Sequence, residues 1–345
     1  MIIFKKKTLK AKLRNPLLNF AIDEQEIELR RDPLTKKWCR ININRVKRAH
    51  PGLAEDGKAT KAVVERSKKG CPFCQDNVFK ATPKFVNIKE RMILNESVLF
   101  PNLYPFSVFH AVVVLSSKKH FIDLNDLSSK LLFDSLRNSI EFFKIARRKE
   151  PSFKYPSISL NFMPPAAASV VHPHFQIILD DKPTFFTDLL IKNSLAYYKK
   201  YKSSFWLSLI KTEKKSRERF IGETGSFSWV TDFAPFRNNQ VSGILTEKVS
   251  SVTDLSKKQI KDLSNGLSKI FKMFWRKNVR SVNMSIFSSA IDKNIGSYFP
   301  VNLKIVSRPT LTQSYVSDIG FMELMNEEPV VETLPEEVAK SLRFA

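Results

Sequence analysis

The chain has 345 residues, with 57 Lys and Arg against 34 Asp and Glu, a formal charge of +23 and 43% hydrophobic residues. That apolar content excludes disorder as the main state, and no run of about 18 apolar residues reads as a membrane span. The basic start lacks the apolar stretch of a secretion signal, so a cytoplasmic chain of about two domains is expected.

The positive balance suits anionic partners such as nucleotides, sugar phosphates or nucleic acid. Only 9 Gly occur, and no GxGxxG or GxxxxGK[ST] pattern is present, which argues against Rossmann and P-loop chemistry.

Residues 26–45 read as strand–turn–strand, IELRR and WCRININR around DPLT, with Asp32-Pro33 as the turn former. Residues 49–70 are polar and charged and are expected to form a loop, after which CPFCQDN opens a knuckle. From His110 the apolar run HAVVVLS reads as a buried strand. Asp123 to about Arg148 is expected to be helical, because Leu127, Leu131, Leu132, Leu136, Ile140, Phe143 and Ile145 recur at helical spacing. ARRKE falls in its last turn, where positive charge is favourable. Two strands follow, SISLNFM (157–163) and HPHFQIILD (172–180), separated by PPAAASVV.

The same order then returns. VSGILTEK (241–248) matches the first apolar strand, and VTDLSKKQ matches FIDLNDLS with Leu124 and Leu255 offset by 131 residues. A helix is expected from Lys257 to about Lys277, followed by VNMSIFS (282–288) and VNLKIVS (301–307). Placing His174 against Lys304 gives an offset of 130. The reading is an internal duplication of a strand–helix–strand–strand unit. Residues 181–230 are taken as a Lys- and Phe-rich helical connection, and LPEEVAKSLR (334–343) as an amphipathic helix with Pro335 near its start.

The expected fold class is α+β with two tandem halves, each an antiparallel sheet with a flanking helix. Residues 1–190 would carry the histidine chemistry and 191–345 none, since all five histidines lie between positions 50 and 174.

Three cysteines, Cys39, Cys71 and Cys74, are too few for a disulfide framework and fit a reducing compartment. Cys71-Pro72-Phe73-Cys74 is a CxxC. Gly70 and Pro72 favour a tight turn and no strand-to-helix setting surrounds it, so zinc is preferred over a thioredoxin-like redox pair. Two thiolates need two further ligands, and His120 and His172 are the candidates. In a strand, His172, His174 and Gln176 project from one face, successive side chains about 6–7 Å apart. Unpaired buried polar groups cost about 1–3 kcal/mol each, so such a row needs partners.

His174 is then free to attack phosphorus and form a covalent phosphoramidate. Gln176, a neutral amide, can donate to phosphoryl oxygens without supplying an acid or base to water.

At these residues the sequence resembles the galactose-1-phosphate uridylyltransferase family of the histidine-triad superfamily. RRDPLTKKW (30–38) with Arg45-Val46-Lys47-Arg48 resembles its amino-terminal signature, CPFCQDN its cysteine knuckle and FPNLYPF (100–106) its nucleotide-contact segment. SSKKHFIDLNDLS resembles the segment carrying the third zinc ligand, and GFMEL and LPEEVAKSLR its carboxy-terminal block.

The resemblance implies two histidine-triad-like halves and Zn2+ at Cys71, Cys74, His120 and His172. It further implies nucleotidylation of His174, with Gln176 and Ser169 near the phosphates and Asn161 supporting the active strand. Arg45 and Arg48 would meet phosphate, while Phe73 and Asn102 would line the nucleoside pocket. Phe175 stands where the family has Gly, Ala166-Ala167-Ala168 replaces a Gly-containing stretch, and Phe287 and Lys304 stand where a second metal's histidines would fall.

The activity so implied moves UMP or AMP between a nucleoside diphosphate sugar and a sugar 1-phosphate, with a homodimer as the family's assembly. A phosphorylase using inorganic phosphate shares the covalent step. A hydrolase is disfavoured because histidine-triad hydrolases resemble HxHxH. The rival outside enzymes is a basic nucleic-acid-binding protein with footprints at Lys211–Arg217 and Ala146–Lys149, though no nucleic-acid motif accompanies them.

Overall fold

In the computed structural model the described residues are 2–47, 57–86, 88–312 and 317–344. The strands and helices run β1 (Lys5–Asn15), β2 (Ala21–Arg31), β3 (Trp38–Ile41), α1 (Lys58–Lys68), β4 (Met92–Leu94), β5 (Ser97–Pro101), β6 (Phe109–Val114) and α2 (Ser129–Lys149). Then come β7 (Tyr155–Phe162), β8 (His174–Asp180), α3 (Phe185–Tyr201), α4 (Phe205–Ser216), β9 (Phe220–Thr224), β10 (Phe227–Thr231) and β11 (Val241–Leu245). The chain closes with α5 (Lys257–Arg276), β12 (Val282–Phe287), β13 (Asn302–Ser307), α6 (Phe321–Leu324), β14 (Val330–Val331) and α7 (Pro335–Ser341).

The duplication is written into the main sheet, whose ten strands run β4-β5-β6-β8-β7-β12-β13-β11-β10-β9. Each copy supplies five strands in mirrored order, and the copies join through the antiparallel β7–β12 pair. One row crosses eight of the ten strands: Phe100, Val112, Gln176, Ser159, Ser285, Lys304, Ser242 and Val230. Its midpoint is the Ser159–Ser285 hydroxyl pair, 2.9 Å apart.

This register corrects the sequence alignment. Lys304 is the counterpart of Gln176, because each pairs with one of those two serines. His174, two residues before Gln176, is matched by Asn302.

Strand alternation divides the row's two sides. Phe175, Ile177 and Leu179 of β8 point to the face covered by α2 and α5, where Leu132, Phe143, Leu263 and Phe271 complete the main core. Phe175, at the position where Gly was expected, is fully buried there and does not crowd His174. The opposite face carries His174, Gln176 and Lys304. Over the second copy it is covered by α3, α4 and the Leu34 turn, whose Leu190, Phe205, Trp206 and Leu34 cluster with Val230, Ile244 and Phe299. β1, β2 and β3 form a smaller sheet that β14 extends in parallel. The tail helix α7 docks through Glu336, which accepts from Arg30 at 2.8 and 3.0 Å and from Arg219 at 2.7 Å.

Several expectations change. The segment expected to be a loop holds α1 over 58–68, because Ala59, Val63 and Val64 find the main core to pack against. The long helix α2 starts at Ser129 rather than Asp123: Ser128 caps it, and Asp123 closes a turn onto Asp126 and Leu127 instead. The 181–230 connection is helical only through α3 and α4. Its end is the β9–β10 hairpin, turned at Gly225 (φ 56), which supplies the second copy's outer strands. No helix among the described residues is long and apolar enough to cross a membrane.

Candidate active site

β8 starts at His174, so His172 lies off the strand and does not share its regular alternation. The intervening Pro173 lacks an N–H to continue the ladder, while its carbonyl accepts from Leu115 N at 3.1 Å. The imidazole of His172 reaches the knuckle instead. Its Nδ1 lies 3.6 Å from Cys71 Sγ and 3.8 Å from Cys74 Sγ, and His120 Nδ1 lies 3.4 Å from Cys74 Sγ. All four donor atoms fall within 4.8 Å of one another.

A tetrahedral zinc ion about 2.3 Å from sulfur and about 2.0–2.1 Å from nitrogen sets S···N edges of about 3.6 Å. The donor set, its spacing and its burial fit that ion. The far nitrogens fit too. His172 Nε2 donates to the Ser116 carbonyl at 2.8 Å, and His120 Nε2 meets Ser67 Oγ at 3.0 Å, which leaves both Nδ1 lone pairs on the thiol side. Burial pushes the His172 imidazole down to about 4, keeping it neutral; burial and the neighbouring Cys71 push the Cys74 thiol up to about 11. Cys39 stands apart, its thiol pushed up to about 12 by burial.

His174 is 5% exposed, and its Nδ1 donates to the His172 carbonyl at 2.7 Å. A carbonyl can only accept, so the free lone pair sits on Nε2. Burial lowers the ring's pKa and favours that neutral form. Phe73 sets its ring edge-on, 5.2 Å from His174 and 6.1 Å from His172, so one knuckle residue touches both imidazoles.

A residue to which the sequence reading gave no role completes the site. His110 is 2% exposed; its Nδ1 accepts from Phe106 N at 3.4 Å, so its Nε2 carries the proton and donates to Gln176 Oε1 at 3.0 Å. With Oε1 engaged, the two N–H groups of the Gln176 amide are free to donate to a ligand. Asn102 packs beside this pair, its Nδ2 3.3 Å from the same ring nitrogen, and its Oδ1 caps Tyr104 N at 2.9 Å. Ser67 was equally hidden, because it stands on α1. Only the pairing of distant segments reveals these two partners.

The remaining expected residues fall at varied distances from this centre. Asn161 is on the same sheet face, in the strand that pairs with β8, and accepts from Asn283 Nδ2 at 2.8 Å. Ser169 is exposed in the loop between β7 and β8, with no hydrogen bond to a described residue. That loop holds Met163 (φ 73) and Ala167 (φ 64) in the left-handed region where glycine is easier. Arg45 is half-buried in the short helical turn after β3. Arg48 lies outside the described residues.

In the second copy the same sheet positions carry Asp232, Gln240 and Lys304 in place of Asn102, His110 and Gln176. Gln240 donates to Asp232, while Lys304 Nζ lies 2.8 Å from Asp232 and 3.0 Å from Ser242 Oγ. Phe287 packs on Phe186 at 5.5 Å, filling space with rings where the family's second metal was considered. No second cluster of metal-ligating side chains occurs among the described residues.

No family model matches the sequence. An uncharacterized protein of Archaeoglobus fulgidus is 29% identical over 343 residues, spanning 99% of this chain and 98% of that relative. Among solved structures, an ADP-glucose phosphorylase of Arabidopsis thaliana with bound ADP-glucose superposes with a TM-score of 0.72 at 21% identity, covering 92% of this chain and 99% of that chain. A GalT-like protein of Arabidopsis thaliana gives 0.69 at 22% identity, covering 91% and 98%. A uridylyltransferase gives 0.66 at 17% identity, covering 91% and 97%. The chain has the α+β, two-half fold of these GalT-like, uridylyltransferase and phosphorylase structures.

Proposed function

We propose that the protein is a nucleotidyltransferase of the histidine-triad superfamily, resembling galactose-1-phosphate uridylyltransferase, that carries UMP or AMP on His174. The observation that carries this reading is the directed Nε2 lone pair of His174, fixed by the 2.7 Å bond from Nδ1 to the His172 carbonyl. In the first half-reaction Nε2 attacks the α-phosphorus of a nucleoside diphosphate sugar. The bond from that phosphorus to the bridging oxygen breaks, and a sugar 1-phosphate leaves with the electron pair. The imidazolium character that develops is stabilised through the Nδ1–H bond to the carbonyl.

In the second half-reaction a phosphate oxygen of the acceptor attacks the same phosphorus. The P–N bond breaks and its electron pair returns to Nε2. Gln176, with Oε1 held by His110, donates its amide protons to the phosphoryl oxygens in both steps. Phe73 and Asn102 line the nucleoside side, while Ser169, Arg45 and Arg48 are assigned to phosphate and Asn161 to support of the active strand.

Cys71, Cys74, His120 and His172 would hold zinc, which supplies a tetrahedral clamp tying the knuckle to the residue whose carbonyl orients His174. Galactose metabolism and a homodimer are part of the same proposal. The same covalent intermediate serves a phosphorylase, the activity named for the Arabidopsis thaliana structure of this fold.

Isotope exchange tests the reading. Labelled glucose 1-phosphate should enter UDP-glucose or ADP-glucose with no other substrate present, and His174→Ala should abolish the exchange. Exchange that survives His174→Ala, or none with any nucleotide sugar, overturns it. Competition between a sugar 1-phosphate and inorganic phosphate for the loaded enzyme then assigns transferase or phosphorylase.

A further inference from the structure

A cavity of about 500 Å3 lies on the His174 side of the sheet, but over the second copy. None of Cys71, Cys74, His120, His172, His174 or Gln176 lines it. Asp232, Gln240 and Lys304, the counterparts of Asn102, His110 and Gln176, form part of its wall, and Trp38, Phe186, Trp206 and Phe236 give it aromatic surfaces. The duplication thus repeats the cleft as well as the fold, with different side chains around it.

Charge separates one residue from the others. Lys304 is satisfied by Asp232, Arg308 by Asp318 at 2.6 Å, and Lys37 by Glu327 at 2.8 Å. Asp32 accepts from Leu34 N and from Thr35 N and Oγ1, and Glu323 from the amides of Gly320 and Val330. Arg237 also lines the cavity and is half-buried, yet its one hydrogen bond runs from Nη1 to the Phe236 carbonyl at 2.7 Å. Among the described residues it forms no ion pair; the carboxylates of Asp318 and Glu323 act on it only from a distance. A guanidinium has five N–H donors in a rigid fork suited to phosphate, and among the described residues four of these have no acceptor. Cavities of about 300–1,000 Å3 with aromatic walls and a few polar groups are the usual size for small ligands.

We propose that this cavity is a second ligand site, separate from His174, that takes a ring-bearing phosphate monoester. The phosphate sits on Arg237 and the ring lies between the aromatic walls. A mononucleotide and a sugar phosphate share that chemistry. The site does not depend on the covalent reaction, so it stands or falls independently of His174.

Equilibrium dialysis of the full chain with labelled AMP, UMP, glucose 1-phosphate and inorganic phosphate tests it, with tryptophan emission followed in parallel because Trp38 and Trp206 line the cavity. A ring-bearing phosphate should bind with a change in emission, persist in His174→Ala, and weaken at least tenfold in Arg237→Gln. Phe236→Ala should weaken the ring-bearing ligands and leave inorganic phosphate unchanged. The tighter of the nucleotides and the sugar phosphate identifies the source. Inorganic phosphate binding as tightly as the esters, binding that neither variant moves by more than twofold, or no emission-linked binding overturns the proposal.

Discussion

The two copies share one backbone plan and differ in what they place on its open face. In the first, Asn102, His110 and Gln176 form an uncharged group beside a cysteine–histidine cluster, and the Gln176 amide is left with donors to offer. In the second, Asp232, Gln240 and Lys304 close on one another as a charged group, so Lys304 Nζ is spent on Asp232 and Ser242. The position matching His174 is Asn302, whose amide donates to the Pro300 carbonyl at 2.9 Å. A few exchanges on an unchanged sheet separate a face that offers a neutral imidazole and free amide donors from one held by an internal ion pair.

Ways to break that contrast run from large to small. The cysteine cluster exists only in the first copy, and ordered metal sites contribute about 10–16 kcal/mol in small zinc peptides. Cys71→Ser should therefore reduce bound zinc from one equivalent per chain to under about a tenth, measured by elemental mass spectrometry, and lower the melting temperature by several degrees or more. Full zinc occupancy in that variant would exclude the four-ligand assignment.

His110→Phe keeps the ring packing but removes the donor to Gln176. It should cut turnover by about 10–100-fold, about 1.4–2.7 kcal/mol of barrier, with nucleotide affinity changed far less. A steady-state comparison of kcat with KM separates that outcome from simple destabilisation, and His110→Gln, which mimics the second copy, should recover part of the loss.

In the second copy, Lys304→Met strands the Asp232 carboxylate among buried neighbours, an effect of about 3–5 kcal/mol for a broken buried pair. Denaturant titration should show it, and Lys304→Met with Asp232→Leu should restore most of the stability while nucleotidyl transfer stays within about twofold. At the midpoint of the sheet, Ser285→Ala removes the hydroxyl pair with Ser159 and should cost only about 0.5–1.5 kcal/mol, without altering transfer.

Much of this was legible in the sequence because the signals were local. CPFC and HPHFQ single out three of the four clustered cysteine and histidine side chains and the buried His174 from two short segments, and the recurring strand–helix–strand–strand order announces the duplication. What escaped required knowing which strands pair. The offset between counterparts drifts from 130 residues at His110 and Gln240, to 128 at Gln176 and Lys304, to 126 at Ser159 and Ser285, because the intervening loops differ in length. A constant offset therefore matched Lys304 to His174, two residues out of register.

His110 and Ser67 gain their roles across strand and helix contacts that no local pattern encodes. α1 looked like a loop because its residues are mostly polar or charged, and its packing contribution reduces to Ala59, Val63 and Val64.

One imidazole of the first copy, that of His174, is proposed to become nucleotidylated through a P–N bond. Tandem mass spectrometry of the protein, digested under mildly basic conditions after mixing with UDP-glucose or ADP-glucose, locates the group directly. The expected result is a uridylyl or adenylyl mass on the peptide carrying His174, at Nε2 and absent from His174→Ala. A nucleotidyl group on any other residue, or an unmodified His174 peptide in a protein that still exchanges sugar 1-phosphate, would contradict it.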